Sequence, residues 1–226
     1  MPSRNIVKSY VKDGIYHIYN RGVEKRIILE DKQDYYIFLK YLKEYLEPPK
    51  TLGEYAKTFT LKGSTFKGVP RVPNNYEDKI DLLAYCLMPN HFHLLVKQKD
   101  EKSIKDFMKS LLTRYSMYFN KRYQRVGPLF QGIYKAVLVN DEDYLLHLSR
   151  YIHLNPKELN IDILNAYSSY QEYLRMRITD WVKPDLILSY FETGTVKGFK
   201  KLNSYKDFVE KYAIDSSEVL GQLVLE

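Results

Sequence analysis

Two histidines lie one residue apart inside an apolar run near the middle of the chain. They are His91 and His93, within the stretch YCLMPNHFHLLV at residues 85–96. Alternate side chains of a β-strand point to the same face, so both imidazoles would project together, with Phe92 in the opposite layer. Two neutral imidazoles presented in parallel are half of a site for a divalent metal ion.

A second group of polar residues lies in the segment RYIHLNP, residues 150–156. Tyr151 and Asn155 are four residues apart, so on a helix they share a face. A divalent ion held by two histidines and an amide oxygen keeps positions open for phosphate oxygens and stabilises the charge that develops on a phosphodiester. A phenol beside such a phosphate is a competent nucleophile if its proton has an exit. Covalent attack would retain the phosphodiester energy for rejoining strands.

Each of these signals has an ordinary explanation when it is taken alone. A His-x-His pair on a strand is more often structural than metal-binding, and Tyr151 would more often be a packing residue. Asn155 before Pro156 would simply end a helix, because the residue before a proline is disfavoured in helical conformation. The combination, in one order along one chain, is what favours a site.

The elements that must position these residues follow from hydrophobic periodicity. Strands are predicted at residues 14–22, 80–87, 91–97 and 133–139, and helices at 32–46, 103–123 and 141–155. The core order is therefore β-α-β-β-α-β, followed by one more helix, which carries Tyr151. This order predicts an α+β protein with a ferredoxin-like, split-βαβ fold and an antiparallel four-stranded sheet.

Two segments lie outside this core pattern. Residues 50–78 are rich in glycine, proline and asparagine and are predicted to be an insertion, with room for a short hairpin. Residues 161–226 carry weakly helical segments. We therefore predict a catalytic domain over residues 1–160 and a small, mostly helical C-terminal extension over 161–226.

The composition indicates which binding partners and which cellular compartment to expect. The 226 residues carry a formal net charge of +7, which is typical of proteins that meet polyanions such as nucleic acid. The 22 tyrosines, interspersed with Lys and Arg, suit stacking on unpaired bases. The single cysteine, Cys86, excludes an internal disulfide. No signal-peptide core or bilayer-length apolar segment is present, so we expect a soluble cytoplasmic protein without a membrane partner.

Several stretches together resemble the IS200-like, single-tyrosine transposases, and within them the REP-associated tyrosine transposase branch of the HUH nucleases. The similarity spans residues 14–173. The stretches that carry it are YHIYNRG (16–22), MPNHFHLLV (88–96), GPLFQG (127–132), YK (134–135) and YIHLNP (151–156).

The resemblance implies a role for each site residue. His91 and His93 match the family's metal-binding pair, Tyr151 its nucleophile, and Asn155 its third, amide-type ligand. The family uses Mg²⁺ or Mn²⁺ to cut single-stranded DNA, commonly beside a hairpin. It leaves a 5′-phosphotyrosine link and a free 3′-hydroxyl, and then rejoins strands. The implied activity is DNA transposition or recombination.

The resemblance and the basic residues also suggest where DNA is bound. Asn20 and Arg21 match a family strand motif near the active site, and Lys135 falls in a matching segment. Arg114 and Arg122 lie on the predicted basic helix 103–123, and we predict that all five contact DNA. Insertion-sequence relatives form dimers in which a helix can serve the partner's site. A homodimer, and whether Tyr151 acts in its own chain, therefore stay open.

Two alternative functions must be distinguished from the strand-transfer hypothesis. A ferredoxin-like sheet can also be a non-catalytic, single-stranded nucleic-acid-binding module, although no RNP-type aromatic motif lies on the central strands. A metal-dependent hydrolase of small phosphoesters would usually show the extra carboxylates of a two-metal site, and the motifs lack them.

Overall fold

A computed structural model of the chain describes residues 10–70, 72, 74–192 and 204–211. The strands are β1 (Ile15–Arg21), β2 (Lys57–Leu61), β3 (Ser64–Gly68), β4 (Ile80–Met88), β5 (His91–Gln98) and β6 (Lys135–Val139). The α-helices are α1 (Lys32–Leu46), α2 (Leu52–Tyr55), α3 (Ser103–Arg122), α4 (Glu142–Leu154), α5 (Tyr170–Tyr173), α6 (Asp185–Glu192) and α7 (Tyr205–Lys211). Short 3₁₀ helices follow β1 and α4.

Four strands form one antiparallel sheet in the order β4-β5-β1-β6, so the predicted fold class is confirmed. β5 is central and pairs with β1 in a register that sets Tyr19 opposite His93 and Arg21 opposite His91. β4 and β5 are joined by the two-residue turn Pro89–Asn90. The predicted helix at 32–46 has the bounds of α1, and the other core elements agree with their predicted bounds to within two residues.

The two faces of the sheet carry different layers. One face packs on α1 and α3 through Tyr16, Ile18, Phe92 and other buried side chains. The opposite face packs on α4 and on residues that follow it, around Leu95 and Cys86. Because strand side chains alternate, His17, Tyr19, His91 and His93 belong to this second face.

α4 lies on the second face because three apolar residues at helical spacing, Leu145, Leu148 and Ile152, are buried there. Each such side chain contributes about 1.5–3 kcal/mol when fully buried. Asp141 is the N-cap of the helix, and its carboxylate accepts a hydrogen bond from the Tyr144 N–H. It runs directly into the 3₁₀ helix Asn155–Leu159.

α4 is also held by a buried polar network. His153 is fully buried, with Nδ1 2.7 Å from the Tyr205 hydroxyl and Nε2 2.8 Å from the Ser169 hydroxyl. Tyr205 in turn donates to Ser149 at 3.1 Å. The network connects α4 to the segment before α5 and to α7.

The chain after residue 160 contributes to the same core as α4. Ile163, Tyr170, Ile187 and Phe208 are all buried in the second-face cluster, and the Tyr173 hydroxyl donates to the backbone oxygen of Leu83 in β4. The described part of this segment includes α5, α6 and α7. Residues 193–203 and 212–226 of the predicted extension lie outside the described residues, and the domain division at residue 160 stays a prediction.

Residues 50–78 contain α2 and the β2–β3 hairpin, which pairs only with itself. Its turn is Lys62–Gly63, where both residues have positive φ angles (49° and 81°), as a two-residue hairpin turn requires. The base of this excursion is tied to α1. The Asn75 side chain donates to the backbone oxygen of Glu47, and the Tyr76 N–H donates to that of Tyr45, both at 2.7 Å.

No helix among the described residues is both long and apolar enough to span a bilayer.

The burial of His153 predicts a pH dependence of stability. Burial lowers the pKa of His153 to about 3, whereas an unfolded histidine titrates near 6.5. Below pH 6.5 the unfolded state therefore binds the extra proton, and stability falls as the pH falls. One such histidine removes about 1.4 kcal/mol of unfolding free energy between pH 7.5 and 5.5.

We expect the His153→Gln variant to lose about 1.4 kcal/mol less than the wild type over this interval. Urea unfolding at both pH values, with chelator present, measures the difference. Equal losses in the two proteins would show that His153 is not the group that takes up the proton.

Candidate active site

The two histidines of β5 lie side by side on the second face of the sheet. The centroids of the His91 and His93 rings are 5.0 Å apart, and the ring planes are nearly perpendicular. His93 is fully buried, whereas His91 is partly exposed at the end of the strand. Burial lowers the pKa of both imidazoles, so both are neutral at physiological pH.

The end of α4 brings Tyr151 and Asn155 to these histidines. Asn155 Oδ1 lies 2.9 Å from His91 Nε2, and the Tyr151 ring meets the His93 ring edge to face, with 5.5 Å between centroids. Tyr151 is partly buried and Asn155 is almost fully buried. The structure therefore brings together four residues of one chain, from β5, from α4 and from the start of the 3₁₀ helix that follows α4.

Both ring nitrogens of His91 face amide oxygens. Nδ1 lies 2.7 Å from Asn90 Oδ1, and Nε2 faces Asn155 Oδ1. The amide nitrogens are directed elsewhere, because Asn90 donates to the Lys25 backbone and Asn155 donates to Glu158 at 3.3 Å. A neutral imidazole has only one N–H. When Nδ1 donates to Asn90, the lone pair of Nε2 faces the lone pairs of Asn155 Oδ1.

A cation between these atoms would resolve that conflict. His91 Nε2 and Asn155 Oδ1, which lie 2.9 Å apart, would be two of the atoms that hold such an ion. His93 Nε2 is buried and has no hydrogen-bond partner among the described residues, which leaves it free as a third donor atom. The residues present thus fit a divalent cation.

Carboxylates do not contribute to this set. Within residues 10–70, 72, 74–192 and 204–211, no group of three or more His, Cys, Asp or Glu side chains is placed to hold a metal ion. The amide of Asn155 is therefore what would complete a three-atom donor set with the two imidazoles.

Burial raises the pKa of the Tyr151 phenol well above its ordinary value of 10, and the charge of Glu158 raises it further. The hydrogen bond with Asn155 acts in the opposite direction. The phenol is consequently protonated at neutral pH, and it must lose its proton to act as a nucleophile. A positive charge at the imidazoles and the Asn155 amide would favour that loss.

Three of the predicted DNA-contacting residues lie near the histidines. Arg21 is opposite His91 in the sheet, and its Nε donates to Gln131 at 3.2 Å. Lys135 Nζ lies 5.7 Å from the centroid of the Tyr19 ring, and Tyr19 is opposite His93. Asn20 is almost fully buried and donates to the backbone oxygen of Gly132, so it shapes the backbone beside the site.

The other two, Arg114 and Arg122, lie on the opposite face of the sheet, where α3 meets α1. Arg114 pairs with Glu44 at 2.6 Å and covers the ring of Tyr41. Arg122 pairs with Asp31 and with the fully buried Asp34, both at 2.6 Å. Their guanidinium groups thus join two helices, and the structure does not bring them to the histidines.

The sequence analysis did not identify His17 and Glu158 as parts of this site. His17 is fully buried and bonded to His93, and Glu158 accepts from Asn155. The period-two pattern of β1 places His17 and Tyr19 on one face, which is a usable signal once the pairing of β1 with β5 is known. Glu158 lies one turn after Asn155, and this spacing is its only sequence signal.

The family model described as "Transposase IS200 like" matches residues 73–155. This stretch contains His91, His93, Tyr151 and Asn155. The sequence resemblance to IS200-like transposases is thereby confirmed for the stretch that carries these four residues. Comparison with curated proteins found no match.

Solved structures that are similar to the chain include two transposase structures. The first is a REP-associated tyrosine transposase bound to a REP hairpin, with a TM-score of 0.50 and 13% identity over 80% of this chain and 92% of that one. The second is a putative transposase from Deinococcus radiodurans R1, with a TM-score of 0.38 and 16% identity over 65% of this chain and 93% of that one. The first shares the fold of this chain.

Proposed function

We propose that the chain is a metal-dependent transposase that cleaves single-stranded DNA and transfers strands through a covalent 5′-phosphotyrosine on Tyr151. The observation that carries this proposal is the convergence of Tyr151, from α4, and Asn155, directly after it, on His91 and His93, from β5. Because one chain supplies all four residues, Tyr151 would act beside its own histidines. A homodimer and a cytoplasmic location stay predictions.

In this mechanism His91 Nε2, His93 Nε2 and Asn155 Oδ1 would hold Mg²⁺ or Mn²⁺. When bound, such an ion neutralises the charge that develops on the scissile phosphate. Glu158 keeps the Asn155 oxygen directed to His91 by accepting from the amide nitrogen. The packing of α4 fixes the phenol beside the His93 ring, which limits the loss of orientational freedom during the reaction.

The chemical step exchanges one phosphoester for another. The Tyr151 oxygen forms a bond to phosphorus, the bond between phosphorus and the DNA 3′-oxygen breaks, and the phenolic proton leaves. The released 3′-oxygen takes up a proton. Attack by a 3′-hydroxyl on the phosphotyrosine reverses these changes and joins strands without another energy source.

The DNA would approach from the exposed end of β1 and β5. Arg21 and Lys135 supply positive charge there, and the net charge of +7 favours a polyanionic partner. The solved transposase with the same fold is bound to a DNA hairpin, which motivates a hairpin-bearing single strand as substrate. Arg114 and Arg122 are less suited to this contact, because carboxylates of α1 and of its N-cap residue already pair with them.

We expect Tyr151→Phe to abolish the covalent adduct with hairpin-bearing single-stranded DNA in Mn²⁺, because the nucleophilic oxygen is removed. DNA binding should be retained, because the ring and its packing remain. Denaturing gels detect the adduct, mass spectrometry of the linked peptide identifies its position, and gel shifts measure binding.

Tyr144→Phe is the matched control, because Tyr144 also lies on α4 and its buried hydroxyl has no hydrogen-bond partner among the described residues. It should form the adduct at a wild-type rate. An adduct that persists in Tyr151→Phe would reassign the nucleophile. Binding without any adduct in the wild type, unaffected by chelation, would favour the non-catalytic binding module.

The metal role of Asn155 is tested by the cation itself. We expect Asn155→Leu to weaken Mn²⁺ binding at least about 10-fold, whereas Asn155→Asp retains an oxygen ligand and should bind at least as tightly as wild type. Calorimetric titration or electron paramagnetic resonance with Mn²⁺ measures both affinities. Unchanged Mn²⁺ affinity in a folded Asn155→Leu protein would remove Asn155 from the ligand set.

A further inference from the structure

His17 and His93 form a buried pair of imidazoles beside the proposed metal site. His17 Nε2 lies 2.9 Å from His93 Nδ1, and the two rings meet edge to edge, with 5.1 Å between centroids and 18° between their planes. Both side chains are fully buried. His17 belongs to the central strand β1, where it lies opposite Leu95 on one side and Val137 on the other.

Two neutral imidazoles carry two protons on four nitrogens, and one of these protons lies in the shared hydrogen bond. In one arrangement, His93 Nδ1–H donates to His17 Nε2, so the lone pair of His93 Nε2 faces the site. In the other, His17 Nε2–H donates to His93 Nδ1, and His93 Nε2 then carries a hydrogen. Only the first arrangement lets His93 bind a cation through Nε2.

We propose that His17 is a positioning residue that accepts the hydrogen bond from His93 Nδ1 and thereby directs the Nε2 lone pair of His93 to the divalent cation. The inference rests on the proposed function. In this arrangement the remaining proton of the pair is on His17 Nδ1, on the side away from His93.

The surroundings of His17 favour this role over simple packing. Its neighbours in the sheet are aliphatic, and its ring also contacts Tyr19 with 4.8 Å between centroids. A phenylalanine would satisfy those contacts without placing polar nitrogens in the core, where an unsatisfied polar group costs about 1–3 kcal/mol. Partners that hold the second nitrogen of a metal-binding histidine generally fix its tautomer and ring orientation.

Two substitutions separate the hydrogen bond from the packing. His17→Phe retains a ring but removes the acceptor, and it should weaken Mn²⁺ binding about 10- to 100-fold. His17→Gln retains an acceptor oxygen near the position of Nε2 and should bind Mn²⁺ within a few-fold of wild type. Ile18→Val, which alters the opposite face of the same strand, controls for disturbance of β1. Thermal unfolding establishes that each variant is folded.

Nuclear magnetic resonance of the imidazole nitrogens reads the tautomer directly. In the Mg²⁺-saturated wild-type protein we expect hydrogens on His93 Nδ1 and His17 Nδ1, and none on His17 Nε2. A hydrogen on His93 Nε2 under these conditions would overturn the inference. Equal Mn²⁺ affinity in folded His17→Phe and wild type would overturn it as well.

These outcomes are distinct from failure of the proposed function. If the wild type binds no Mn²⁺, the metal-dependent mechanism itself fails, and the inference fails with it. If the wild type binds Mn²⁺ and forms the Tyr151 adduct while His17→Phe binds equally well, only the role of His17 is excluded.

Discussion

The contact between His91 Nε2 and Asn155 Oδ1 joins the sheet to the helix that carries Tyr151, and the candidate site depends on it. The buried apolar residues of α4 fix the distance between the helix and the sheet. The buried hydrogen bonds of His153 fix the same helix from the side of α5 and α7. Both ring nitrogens of His91 face amide oxygens at this junction, and the proposed metal role of the site starts from that arrangement.

Much of this arrangement follows from sequence periodicity. The two-residue period of β5 puts His91 and His93 on one face, and the four-residue spacing puts Tyr151 and Asn155 on one face of α4. The order of strands and helices then predicts the sheet. These features depend on local geometry, which a sequence specifies directly through spacing.

The features that the sequence analysis did not predict depend on which elements are neighbours in the folded protein. Arg114 and Arg122 are basic residues on a helix, as in many DNA-binding helices, but their carboxylate partners lie on α1 and at its N-cap, about 70 to 90 residues away in sequence. The importance of His17 likewise depends on β1 lying between β5 and β6. Long-range pairing is set by the summed burial of whole faces, and a spacing pattern does not report it.

The hydrogen bonds from Asn75 and Tyr76 to the end of α1 hold together the two ends of the segment between them, which contains α2 and the β2–β3 hairpin. Its hairpin completes its own backbone pairing, and it adds no strand to the main sheet. Since the entropy of closing a loop grows only slowly with length, about 0.6 kcal/mol per doubling, a shorter, longer or different segment in its place would leave the geometry of the candidate site unchanged. The hairpin is thus structurally separate from the sheet and the helix that form the candidate site.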